Sequence, residues 1–546
     1  MFETKNKISQ RLAQSFGEIK DDPFYFYSIE KYFRNKDHTG VFQILSDKTC
    51  NDLDFNELFM FVDRTTSKIG QQFLYNTLRT IPSNNDKFTE QEKLIQKITN
   101  DSNLRLYIQL QLDKLTRESS YFITTLFQDE HLKKPKWFFI IPLLSFSSLM
   151  ALLLIPFTPQ FFFVLLGVMI INLFIHYWNK QNLHEYLGTI SQLLILIRVV
   201  KKLLKCKILK EIDEDVFESI SSIEKIRSHM SFFKLEVQVQ TDFGTAFLTF
   251  LELFKALFLL EPLLLFGVLK RLDTKRREIE NVFSFVGYVD SLVSISSLRH
   301  GLKSFCLPQI KNNHKIIEAT EIYHPLIIDC VSNSIKVDGN SILLTGSNMS
   351  GKTSFIRTIG LNLITGLTIN TCFAQKLCFP RLKIFSAIRL SDDLMNDKSY
   401  YFEEVLTIKE MIENSQTKES SLFLLDEIFK GTNTIERISA GRAVLSYLNN
   451  ESNIVFVSTH DIELAELLKD TFNLYHFSEQ VDDKTVDFDF RLKEGKLKNR
   501  NAIKILEIND YPEQIINEAI ELSKELDKIY IVTEVAKKSK RNNITA

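Results

Sequence analysis

The sequence lacks an excess of charge of either sign. Lys and Arg number 67 against 68 Asp and Glu, a formal net charge of -1 over 546 residues. That excludes a whole-chain attraction for nucleic acid and leaves only a local patch as a route to one. A cysteine framework is missing as well. The six cysteines, Cys50, Cys206, Cys306, Cys330, Cys372 and Cys378, form no C-x-x-C pair. They read as reduced, mostly buried thiols, which suits a cytosolic compartment for the soluble parts. There are no internal repeats and no low-complexity tracts. A secretory leader is excluded for the long apolar runs, because they are internal and carry no cleavage site. The length points to several domains rather than one core.

Charge is also absent locally, and there the absence is informative. Residues 137 to 157 read WFFIIPLLSFSSLMALLLIPF, and residues 161 to 178 read FFFVLLGVMIINLFIHYW, with Thr158-Pro159-Gln160 between them. Each run is close to the ~20 residues that cross a bilayer as a helix. The short link predicts a helical hairpin whose turn barely emerges on the far side. Lys133, Lys134 and Lys136 precede it and Lys180 follows it. Both ends are therefore expected on the cytoplasmic face, with Trp137, Tyr177 and Trp178 at the interface. The expectation is a protein of the cytoplasmic membrane, held through residues 137–178, with both soluble parts facing the cytoplasm.

A third apolar stretch, residues 243 to 269, carries Glu252, Lys255 and Glu261. Charges at membrane depth are costly, and an odd number of spans would split the soluble halves across the membrane. The stretch reads as a buried or membrane-surface helix, followed by a basic turn at Lys270, Arg271, Lys275, Arg276 and Arg277. Amphipathic helical spacing fills residues 50–135 and 181–235. Arg198, Lys201, Lys202, Lys205, Lys207 and Lys210 mark a long helix with a solvated basic face, or a contact for anionic lipid headgroups or nucleic acid. The first ~35 residues and the last few, Lys537 to Arg541, read as poorly ordered or adaptable ends.

Residues 341 to 353 read SILLTGSNMSGKT. Gly346 to Thr353 fits the phosphate-binding pattern G-x-x-x-x-G-K-[ST] at every fixed position. Gly346 and Gly351 let the backbone bend so that successive N–H groups point at phosphate oxygens. Lys352 can reach terminal phosphates, and the Thr353 hydroxyl can ligate Mg²⁺. A helix expected to begin near Lys352 adds its positive end. From about residue 330, β-type runs alternate with helical ones, as in a parallel sheet covered by helices. SLFLLDE (421–427) reads as a buried strand delivering Asp426 and Glu427 to its C-terminal end, where ligands bind in such sheets. Asp426 can hold Mg²⁺ through water, and Glu427 can align or deprotonate the attacking water. IVFVSTH (454–460) is a further apolar strand ending in His460, expected near the γ-phosphate.

The order GSNMSGKTSFIR, SDDLMNDKSYYFEEV (391–405), LFLLDEIFKGTNT (422–434) and VSTHDIEL (457–464) resembles the ATPase domain of MutS-type mismatch repair proteins. IYHPLI (322–327) resembles the start of that domain. FRLKEGKLKNRNAIKIL (490–506) and YPEQIINEAIELSKEL (511–526) resemble its C-terminal end. Residues 53–82 resemble the start of the helical core and lever domain. The resemblance implies an α + α/β chain. It has an N-terminal extension (1–49), a helical core/lever domain (50–320) with the transmembrane hairpin inserted (137–178), and a P-loop ABC-type α/β ATPase domain (321–546) ending in a helical dimerisation segment. It implies ATP and Mg²⁺ held between two subunits of a homodimer. Gly346, Ser347, Asn348, Met349, Ser350, Gly351, Lys352, Thr353 and Ser354 would bind ATP, with Thr353 and Asp426 at the metal. Lys352, Glu427 and His460 would be catalytic, and Ser399 would reach the other subunit's ATP in trans. The turn 431–434 would lie near the dimer interface. The chain leaves no room before the core for the family's mismatch-reading domain. Phe16-Gly17-Glu18 echoes that domain's Phe-x-Glu wedge only by coincidence. The charge-free hairpin stands broadly where a DNA clamp is normally inserted. DNA is thus one expected partner, and a membrane or protein partner without mismatch recognition is the other.

Overall fold

The computed structural model describes residues 5–227, 230, 252–311, 315–347, 349–389, 400–450, 452–481, 486–497, 502–509 and 511–525. Helices and sheets are mixed, and the chain divides into two compact units. One comprises 1–44 with 59–303, and the other 45–58 with 304–546.

The first unit is helical. Its axis is the helix Arg276–Gly301, buried along nearly its whole length through Ile279, Val282, Phe283, Val286, Val289 and Leu292. By length and composition this helix is apolar enough to cross a membrane, but 83% of its apolar window is buried. The helices Lys68–Arg79 and Phe88–Asn100 pack on it. Asp290, fully buried in it, accepts from Thr66 N (2.9 Å), Ser67 N (2.7 Å) and Ser67 Oγ (2.6 Å). These bonds anchor the start of Lys68–Arg79, which Ser67 caps.

The N-terminal residues correct the reading of a poorly ordered end. Lys5–Gln14 and Phe26–Arg34 are helices, and Leu12, Ile29, Tyr32 and Phe33 are buried. Six aromatics among residues 24 to 33 supply enough apolar surface to fix the segment. Phe16 packs on the His300 ring (4.9 Å) and under the Arg105 guanidinium (3.8 Å), so its role is in packing.

The two charge-free runs form Lys136–Leu154 and Phe161–Lys180, with mean hydropathies of 2.2 and 2.1 and only 17% and 11% of their apolar windows buried. Phe139, Leu153, Phe163 and Phe174 are among the exposed side chains. Leu154 and Phe161 are joined by a short turn. The second run does not stop at Trp178. It continues as one 43-residue helix, Phe161–Leu203. That helix ends before Lys205, so the basic stretch 198–210 is a helix end followed by the short helix Lys207–Lys210. Lys201 in it pairs with Glu224.

Of the third apolar stretch, the part from Glu252 is described. It turns at Leu259 (φ +50°) into the helix Leu260–Asp273. Lys270 and Arg271 lie in the last helical turn, so the basic turn proper is confined to Thr274 and Lys275. The stretch is joined to the hairpin by polar contacts. Asn172 Nδ2 donates to Leu257 O (2.7 Å) and Ser148 Oγ (3.0 Å). His176 Nε2 lies 3.2 Å from Glu252, and Lys180 Nζ 3.0 Å from it. Lys255 Nζ bridges Glu252 (2.5 Å) and Glu261 (2.9 Å), with Lys255 and Glu261 only 2% and 1% exposed. The charges that argued against membrane depth are thus paired with one another.

The second unit is α/β. Its six-stranded sheet runs in the order Lys493–Glu494, Phe472–His476, Ser341–Thr345, Ile454–Ser458, Ser421–Asp426, Lys383–Ala387. Every neighbouring pair is parallel except the first. Ser341–Thr345 and Ile454–Ser458 are wholly buried, which is why they are unbroken apolar runs. A four-stranded sheet, Gln309–Ile310, Lys376–Phe379, Ile316–Ile322 and Asn333–Asp338, completes the unit. Residues 45–58 pack here, with Asp52 accepting from Ser386 Oγ (2.7 Å), Ile388 N (3.0 Å) and Arg389 N (2.9 Å).

Candidate active site

Sheet register builds the site. Leu344 is opposite Ser458, and Ser458 is opposite Asp426. Three parallel strands therefore end side by side, each delivering its next residues to one edge. The first delivers the loop 346–351 and the helix Lys352–Ile369. Gly346 (φ +153°) has no space for a side chain, because a Cβ there would stand 2.8 Å from Phe477 O and from Ser350 Oγ. Gly351 (φ +104°) caps the helix in a conformation that costs other residues energy. Ser350 Oγ donates to Ser347 O (2.8 Å), and Ser347 Oγ to Glu479 (2.6 Å).

Lys352 is buried, and its ammonium donates to Gly346 O (2.9 Å) and Ser347 O (2.7 Å). Burial holds its pKa below the ordinary lysine value. Thr353 Oγ1 donates to Asp426 Oδ2 (2.7 Å), and Ser458 Oγ bonds the other oxygen of the same carboxylate. This set of two hydroxyls and a carboxylate is all oxygen, as a small hard cation requires. Glu427 sits at φ +55° one residue beyond the strand, its N–H bonded to Ser458 O (3.0 Å). His460 Nε2 lies 2.8 Å from Glu427 Oε1, and Lys430 Nζ lies 2.7 Å from Oε2. The buried Glu404 accepts from Phe429 N and so holds the turn that follows Glu427.

Beside the loop is a cavity of about 430 Å³. Residues 349–354 and Glu427 form one side, and Ile322, Tyr323, His324, Ile327, Phe477 and Phe490 line the rest. Burial pushes the His324 pKa down to about 4, so the wall has an uncharged ring. Its Nδ1 accepts from Leu326 N (3.3 Å).

Of the residues expected from the sequence, Gly346, Ser347, Met349, Ser350, Gly351, Lys352, Thr353, Ser354, Asp426, Glu427 and His460 gather at this edge. Asn348 and Ser399 lie outside the described residues. Sequence reading missed Ser458, Glu479 and Lys430. Ser458 had a signal, two residues before His460 on the strand neighbouring Asp426. Glu479 had none.

Residues 342–527 match the family model described as MutS domain V. The DNA mismatch repair protein MutS of Aquifex pyrophilus is 27% identical over 270 residues, 48% of this chain and 31% of that protein. MutS of Persephonella marina is 29% identical over 247 residues, 43% of this chain and 28% of that protein. The DNA mismatch repair protein MSH3 of Kluyveromyces lactis is 28% identical over 297 residues, 50% and 28% of the two chains. The matched part spans about a third of the length of these relatives. The match coincides with the strands and loops of the site just described, so residues 342–527 carry a domain of the kind described as MutS domain V.

Proposed function

We propose that the second unit is a P-loop ATPase of the ABC type that binds ATP with Mg²⁺ and hydrolyses it. The observation that carries this is the convergence of the loop 346–353, the Thr353–Asp426 bond and the Glu427–His460 pair on adjacent strand ends, next to a cavity with apolar walls. Backbone N–H groups of the loop would hold the phosphates, with Lys352 turning from the carbonyls of Gly346 and Ser347 to a phosphate oxygen. The aromatic wall suits a nucleobase. Thr353 and Asp426 would hold Mg²⁺, with Ser458 orienting the carboxylate. When bound, Mg²⁺ supplies charge neutralisation at the phosphates. Glu427, ionised and fixed by His460, would orient the attacking water. Ser399 enters from the family resemblance alone, as the group serving the other subunit of a homodimer. The test is Glu427→Gln, expected to bind ATP as the parent does while turnover falls by about 10²-fold or more. Unchanged hydrolysis would remove Glu427 from the mechanism.

We further propose that residues 137–178 anchor the protein in the cytoplasmic membrane with both ends on the cytoplasmic face. The exposed apolar surface of Lys136–Leu154 and Phe161–Lys180 supports this reading. Deleting 137–178 should then release the protein to the soluble fraction. The names of the relatives support DNA as the substrate that ATP turnover serves. The hairpin favours a second reading, in which the ATPase acts on a membrane or protein partner without reading mismatches. ATPase rates of the detergent-solubilised protein with homoduplex, mismatched and branched DNA decide between them. Stimulation by one of these supports the first, and none by any supports the second.

A further inference from the structure

Where the hairpin begins, a second cavity of about 360 Å³ lies among Glu130, His131, Leu132, Lys133, Lys134, Phe266, Lys270, Asp273 and Arg276. Its charges are unevenly matched. Lys133 pairs with Glu130 (2.8 Å) and Arg276 with Asp273 (2.7 Å). Lys134 and Lys270 have no carboxylate partner among the described residues, and the Lys134 ammonium stands 4.6 Å over the Phe138 ring. The floor is His131, 6% exposed, with Nδ1 3.0 Å from Asp273 Oδ1 and the Leu269 backbone as a further neighbour of the ring. The apolar rim is continuous with the hairpin, since Phe266 packs edge-on against Phe138 (5.1 Å). Two surplus cations in a concave site and an apolar side facing the first span describe a receptor for an anion with acyl chains attached.

We propose that this cavity binds the phosphate-bearing headgroup of an anionic bilayer lipid, with Lys134 and Lys270 on the phosphate. Surface lysines next to a bilayer attract anionic lipid, and a concave site between helices converts that attraction into selection. The inference rests on the membrane reading of residues 137–178.

The chain supplies its own reporters. Its two tryptophans, Trp137 and Trp178, pack together at 4.9 Å beside this site. The full-length protein is reconstituted in phosphatidylcholine containing a minor fraction of either brominated phosphatidylglycerol or brominated phosphatidylcholine. Tryptophan quenching by the brominated phosphatidylglycerol should exceed that by the brominated phosphatidylcholine, reflecting about fivefold local enrichment for each lysine. Lys134→Ala/Lys270→Ala should abolish the excess and keep the quenching by phosphatidylcholine, which also shows that the variant is folded and inserted. Lys207→Ala/Lys210→Ala should keep the excess. An excess that survives Lys134→Ala/Lys270→Ala overturns the site. So does equal quenching by both lipids in the parent protein, which leaves the anchor standing. Quenching by neither lipid overturns the anchor instead. Loss of the excess on adding inorganic phosphate or duplex DNA assigns the cavity to those anions and overturns the lipid as its occupant.

Discussion

His460 Nε2 stands 2.8 Å from Glu427 Oε1, so two residues from neighbouring parallel strands share one hydrogen bond at the sheet edge. That bond is the main reason the Glu427 carboxyl is held down at about 2, with Lys430 adding to it against the opposing effect of burial. A carboxylate this acidic is a poor proton acceptor near neutral pH, which favours water orientation over deprotonation.

The sign of the pH effect follows. A carboxylate lowered from 4.5 to about 2 adds stability that is complete above about pH 4.5 and is lost as pH falls towards 2. Glu427→Gln should therefore be less stable than the parent at about pH 6, and the gap should narrow at about pH 3 without closing, since the folded-state carboxyl titrates only near about pH 2. Denaturant unfolding at the two pH values measures it. A constant gap would show that the pair contributes nothing to the acid limb.

Asp426 is held from two sides, by Thr353 and by Ser458. Ser458→Ala should weaken Mg²⁺ affinity in the presence of ATP by about 10- to 100-fold, as outer-shell partners of a metal carboxylate do. Calorimetric titration with and without Mg²⁺ separates this from nucleotide binding itself, which should change little. Equal Mg²⁺ affinity would leave Ser458 as a packing residue.

Lys255 bridges two carboxylates in the helical unit. Lys255→Met should cost about 3–5 kcal/mol, because among the described residues Glu261 would keep His176, at 3.4 Å, as its remaining ion-pair partner. Adding Glu261→Gln should recover much of that loss. Thermal unfolding of the detergent-solubilised variants reads both effects, and an unshifted midpoint for Lys255→Met would contradict the pairing.

Cys306 and Cys372 exchange both backbone hydrogen bonds, each at 2.9 Å. Such pairs hold their Cα atoms about 5.5 Å apart, within the range of about 4.4–6.8 Å that a disulfide spans. Diamide treatment should link them, and peptide mapping by mass spectrometry should find the cross-link in the parent and not in Cys372→Ser. The sequence spacing of 66 positions hides this pair completely.

The phosphate loop was legible because its chemistry needs fixed residue types at fixed offsets. Asp426, Glu427 and His460 were legible because buried parallel strands are unbroken apolar runs with polar ends. Ser458 was missed although it stands two residues before His460, because its role comes from register with Asp426. Glu252 and Glu261 looked like obstacles to burial because their partners His176 and Lys180 lie more than 70 positions away. The N-terminal residues looked loose because the aromatics of residues 24–27 run consecutively and follow no helical period, so the core that Tyr32 and Phe33 enter was not read from them.

The unbroken helix Phe161–Leu203 has a mechanical meaning. On the proposed anchoring of residues 137–178, the 23 residues beyond Lys180 would extend as an arm of about 35 Å. A tilt of about five degrees would displace its far end by roughly 3 Å. A change in bilayer thickness against the apolar length of such a helix is one way its tilt shifts. The helical unit would thereby register the thickness of the membrane it sits in, with no ligand exchanged.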